Sequence, residues 1–171
     1  MTRIDVALLA VRLCFGLSMA WHGLNKLRGP GGLAGTSSWF ASIGMRAPGL
    51  NARLACATEI IAGTCFAVGC ATPLAASALI GLMVVAIVTV HWRVGYFVFL
   101  PNQGWEYCFA IAVVAGAIAI SGPGTAAIDH HVATGVFGAS QWAVVAVPVG
   151  LIAALCQLSL FWRPVRADDR P

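Results

Sequence analysis

Six ionisable side chains, Arg12, His22, Lys26, Glu59, His91 and Glu106, stand inside or at the ends of long apolar runs, where an unpaired charge is costly. In such a setting they can hydrogen-bond or exchange protons with a bound polar group, or pair with one another and fix how the chain packs. His22 and Lys26 are four residues apart and share a helical face; Arg12 lies two heptads before Lys26, near that same face. Arg12 is therefore about 20 Å along the axis from Lys26 and needs an anion or water deep in a bundle. Glu59 is the expected partner, reached by a long guanidinium side chain lying along its helix.

The cysteines, Cys14, Cys56, Cys65, Cys70, Cys108 and Cys156, form no CxxC pair and no zinc spacing, with Cys65 and Cys70 the nearest neighbours in sequence. In apolar segments cysteine behaves as a small hydrophobe. Cys56, three residues before Glu59, and Cys108, two after Glu106, are the ones placed for a thiol role. A metal site would need His22, His91 and a carboxylate to converge, and no HxxxH or ExxH on one helix supports that, so no metal is expected. The adjacent His130 and His131 would diverge on a regular helix or strand and are read as loop residues.

Membrane-crossing helices must position these groups. Only 9% of the 171 residues are charged while 60% are hydrophobic, and the mean hydropathy is +0.87, against about 25% charged residues in soluble domains. A bilayer core about 30 Å thick needs roughly 20 apolar helical residues per crossing. The chain accommodates five, expected at about 4–27, 51–71, 73–92, 104–121 and 141–162, with a short interfacial helix at about 36–44 and a charged tail at 163–171. Gly29-Pro30-Gly31-Gly32, Pro48-Gly49, Pro73 and Gly122-Pro123-Gly124 punctuate these runs. Pro148 should kink the last one. The start is not expected to be a cleaved signal, because Asp5 and Arg12 interrupt its apolar stretch, which continues past Ala20 to Leu27.

The fold class is thus all-α, a polytopic membrane helix bundle. Net charge is +4, but the basic residues are scattered singly, so no nucleic-acid partner is expected; the partner is the lipid bilayer. An antiparallel bundle brings the polar ends carrying His22, Lys26, Glu59, His91 and Glu106 to one membrane face. Lys26, Arg28, Arg46, Arg53, Arg93, Arg163, Arg166 and Arg170 share that face, Arg3 alone lies on the other, and the bias predicts N-out, C-in. Trp21, Trp92 and Trp105 flank the same face as aromatic anchors. Ser77 and Gly81, four apart, form a small-residue face open to a neighbouring helix.

Taken together, Arg12, the stretch WHGLNKLRGPGGLAGTSSWFASIG, Glu59, VTVHWRVGYFV and GWEY resemble the DoxX family of small bacterial membrane proteins over roughly residues 4–129. Arg12, Gly16, Gly23, Lys26, Glu59 and Gly63 match the family pattern. The resemblance implies a four-helix core at 1–129 extended by the fifth helix, in a bacterial cytoplasmic membrane. It also implies a redox-associated accessory subunit linked to quinone, thiol or sulfur chemistry, with a quinone as a candidate ligand and a redox or sulfur-handling protein as a candidate partner. The alternative is a non-enzymatic scaffold or assembly factor whose buried charges only specify packing. A solute or proton pathway would need polar groups across the whole bilayer, which the later helices do not supply.

Overall fold

The computed structural model describes residues 1–132 and 140–164, with the side chains of residues 140–143 left aside. Seven helices are described: α1 (Arg3–Arg28), α2 (Gly32–Ser42), α3 (Pro48–Val68), α4 (Thr72–Ala86), α5 (Glu106–Ser121), α6 (Ile128–Val132) and α7 (Ser140–Phe161). A π-helical turn, Ile87–His91, continues α4. The expected tail falls outside the described residues from position 165 onward, together with Arg166 and Arg170.

Among the described residues, three stretches are long and apolar enough to cross a membrane: Arg3–Arg28, Thr72–His91 and Val144–Phe161. α5 is apolar but has 16 residues, about 24 Å of helix, and α3 is diluted by Asn51, Arg53 and Glu59. The outer surface carries Leu17, Ile61, Ile120 and Leu155, as expected where lipid replaces water.

Local chemistry sets the helix limits. Thr2 and Asp5 form a reciprocal capping box on α1, with Thr2 N donating to Asp5 Oδ2 (2.6 Å) and Asp5 N donating to Thr2 Oγ1 (3.2 Å). Pro48 and Pro73 sit in the first turns of α3 and α4, where a missing N–H costs little. Gly69, at φ 69°, ends α3 in a left-handed turn in which Cys70 N donates to Cys65 O (2.8 Å) and Gly69 N to Phe66 O (3.3 Å).

α1 and α3 run antiparallel with their backbones touching. A Cβ on Gly16 would stand 2.6 Å from Gly63 O, and one on Gly63 would stand 2.7 Å from Ala20 N. Gly23 meets Cys56 and Ile60 farther along, and Gly69 meets Arg12 at the other end. Behind this pair, Phe66, Leu79, Ala76 and Ile111 fill the core.

α7 docks on α4 at the small-residue face. Gly81 lies under the Gly150 carbonyl, and the Ser77 hydroxyl lies between the carbonyls of Pro73 (2.8 Å) and Ala146 (2.9 Å). The far end of α7 is pinned to the α2–α3 connection, where Trp162 Nε1 donates to Ile43 O (3.1 Å) and Arg163 N to Gly44 O (2.9 Å). Met45 and Trp162 form an isolated antiparallel bridge there.

A candidate pocket and its opposite pole

A cavity of about 440 Å³ opens at the end of the bundle where α1 finishes. Its walls are mostly apolar, from Met19, Phe40, Leu82, Met83 and Ile111, with polar groups of His22, Lys26, Glu59, His91, Gln103 and Gln157 among them. This mixture suits a ligand with a greasy body and a polar head.

The register of α1 on α3 places the charged pair. With Gly23 against Cys56 and Ile60, Lys26 extends from the last turns of α1 to Glu59, and its Nζ donates to Glu59 Oε1. Glu59 is almost fully buried, and its second oxygen, Oε2, has no partner. His22 lines the same cavity, within electrostatic reach of that carboxylate. A buried carboxylate oxygen without a donor is costly unless something else supplies one.

The π-helical turn brings the end of α4 into the cavity wall. Thr89, Val90 and His91 all line it; such wide turns are often found at functional sites. His91 Nδ1 donates to Gln103 O (2.7 Å), because a carbonyl can only accept, and this leaves Nε2 as the ring's remaining polar atom. The turn also folds the loop that follows. Trp92 stacks on Trp105 with ring centroids 6.0 Å apart, and Tyr96 meets Trp105 edge-on at 4.6 Å.

Several sequence expectations need correction. Arg12 does not pair with Glu59. The antiparallel register puts residue 12 beside Gly69, at the opposite pole, where Arg12 is fully buried and its Nη2 donates to Ala126 O (2.8 Å). The charge of opposite sign within electrostatic reach of Arg12 on that pole is Asp129, which accepts from Ala71 N (2.7 Å) and Thr72 N (2.8 Å) at the start of α4. Asp5 completes this pole by accepting from Thr125 N (2.9 Å).

Glu106 does not face the cavity. Its Oε2 accepts from Val98 N (3.1 Å), bracing the aromatic loop. Cys56 is buried with its thiol donating to Gly23 O (3.2 Å), a packing contact, whereas Cys108 is buried in the cavity wall. His130 and His131 lie on the short helix α6 rather than in a loop, and their rings pack edge-to-face at 5.2 Å. Among the described residues, no three His, Cys, Asp or Glu side chains are grouped to hold a metal ion.

Sequence reasoning missed Gln157, which lines the cavity, and Asn51, which holds it. Asn51 is fully buried, donates to Arg46 O (2.9 Å), and accepts from Gln157 Nε2 (2.9 Å) across the α3–α7 contact. The available signal was an amide near the start of one apolar run facing an amide near the end of another.

Fold and pocket together define a multi-pass helical membrane protein with a mostly apolar cavity, carrying a few polar groups, at one end. The DoxX family model matches residues 7–92, half of the chain, and the chain belongs to the DoxX family. The matched stretch runs from α1 to just past the π turn and includes Arg12, His22, Lys26, Glu59 and His91. No curated protein and no solved structure matches the chain.

Proposed function

We propose that this protein is a redox-associated accessory subunit of a bacterial cytoplasmic membrane, and that its pocket holds the polar head of a lipid-soluble ligand of the quinone class. The observation that carries the reading is Glu59, a lining residue of an apolar-walled cavity beside Lys26, whose Oε2 has no partner among the described residues. Lys26 would offer hydrogen bonds to a ring carbonyl, Glu59 would accept one from a ring hydroxyl, and His91, fixed by Gln103, would supply a second polar contact. A sulfur- or thiol-handling protein would dock at this same end. In this reading the chain crosses the bilayer five times, as a four-helix core through residue 129 plus α7, N-out and C-in, with the pocket on the cytoplasmic side where basic residues concentrate.

Purification in lipid nanodiscs followed by mass spectrometry of extracted small molecules tests this reading. A stoichiometric quinone in the wild type, depleted in Glu59→Gln, is expected. Quinone-free protein from quinone-replete membranes would count against it.

A second reading, a non-enzymatic scaffold, is favoured by one observation: Lys26–Glu59 joins α1 to α3 as Asn51–Gln157 joins α3 to α7. It predicts that Glu59→Gln lowers the amount of folded protein and changes no bound molecule.

A further inference from the structure

We propose that Cys65 and Cys70 are a dithiol that closes reversibly to a disulfide across the end of α3, at the pole opposite the pocket. The left-handed Gly69 creates the juxtaposition. In this helix ending, the residue after the glycine folds back so that its N–H reaches the carbonyl five positions earlier and its side chain covers that residue's side chain. Here those two residues are both cysteines: Cys70 N donates to Cys65 O at 2.8 Å.

Backbone bond lengths, with the trigonal angle at the Cys65 carbonyl carbon, added to that contact hold the two Cα atoms within about 6.7 Å. Disulfides bridge separations of roughly 4.4–6.8 Å. Both residues are half-buried at the end of the helix, not sealed in the core. By contrast, Cys56 is buried against Gly23 and Cys108 lies in the pocket wall.

The reaction is thiol–disulfide exchange with a disulfide-bearing co-reactant, either a small molecule or a protein. The Cys65 thiolate attacks one sulfur of that disulfide, forming a mixed disulfide and expelling one thiolate. Cys70 then attacks Cys65 Sγ, forming the internal bond and expelling the second thiolate. The two cysteine protons pass to the two expelled thiolates, so the protein loses two electrons and the co-reactant gains them. The pair is remote from the pocket and reacts independently of it.

The full-length protein in nanodiscs is equilibrated in glutathione buffers running from reduced to oxidised, quenched in acid, denatured and labelled with a maleimide. Reduced protein takes six labels, one per cysteine. Oxidising buffer is expected to remove two of them and to leave the peptide containing Cys65 and Cys70 unlabelled and lighter by two hydrogens. Cys70→Ser is expected to retain glutathione on Cys65, the adduct that the wild type resolves. Six labels throughout, a bond between other cysteines, or a persistent adduct on the wild type would each overturn the proposal. A protein disulfide as the physiological co-reactant would add a mixed-disulfide complex trapped by Cys70→Ser in cells, whereas a small-molecule one would leave only the low-mass adduct.

Discussion

At the pole where α1 begins, Asp5, Arg12 and Asp129 direct their polar atoms at the peptide groups of Thr125, Ala126, Ala71 and Thr72. At the other pole, Lys26 and Glu59 bind each other, and Glu59, whose second oxygen has no partner among the described residues, belongs to the lining of a 440 Å³ cavity. Arg12 also has unpartnered nitrogens, Nε and Nη1, but Nη1 occupies the place a Cβ on Gly69 would take, with Ala127 beside it. One pole is closed by protein and the other is left open. Charge neutralised by backbone dipoles in a packed turn fixes the loops to the helices, whereas charge beside an unfilled cavity is available to a ligand.

Substitutions at the two poles should therefore separate stability from occupancy. Arg12→Ala should have the largest effect, about 2–5 kcal/mol of destabilisation, because it empties the space of a fully buried long side chain and removes its hydrogen bond to Ala126 O. A much lower thermal midpoint in detergent would report it, with ligand occupancy unchanged in whatever fraction remains folded. Glu59→Gln comes next, with occupancy falling at least about tenfold for the loss of a charged hydrogen-bond acceptor, worth about 1.5–3 kcal/mol. Ligand titration into protein stripped of lipid would measure that loss.

Asp129→Asn weakens the cap on α4 and should cost about 1 kcal/mol in a chemical denaturation series, without altering occupancy. Glu106→Gln should be the mildest. Its amide oxygen still accepts from Val98 N, so stability should move by less than about 0.5 kcal/mol and ligand binding should stay put. A large binding defect in Glu106→Gln would blur the contrast, since Glu106 itself does not line the cavity.

The helices were legible in the sequence because apolar runs and their Gly/Pro stops act locally. The runs expected at 4–27 and 73–92 stand at Arg3–Arg28 and Thr72–His91. Convergence of His22, Lys26, Glu59 and His91 was legible too, since it follows from antiparallel helices of similar length. The partners of the buried charges were not. Whether Arg12 meets Glu59 or the Asp129 turn depends on where α1 slides along α3, and Gly16, Ala20 and Gly63 set that through backbone contact that charge spacing does not encode.

The π turn was equally hidden. Its wider hydrogen bonding leaves no mark in the hydropathy of Ile87–His91, yet it helps bring Thr89, Val90 and His91 into the cavity wall. Glu106 was misplaced for a related reason: a glutamate opening a helix can turn into the bundle or back to the preceding loop, and the carboxylate here meets Val98 N.

The most direct test of the contrast between the poles compares small molecules extracted from wild-type, Glu59→Gln and Asp129→Asn proteins. Each is prepared from the same membranes into nanodiscs and matched for folded protein. The expected result is a lipid-soluble ligand of the quinone class in the wild type and Asp129→Asn at equal stoichiometry, and its loss from Glu59→Gln. Equal amounts in all three, or none in the wild type, would contradict a ligand held by the open pole.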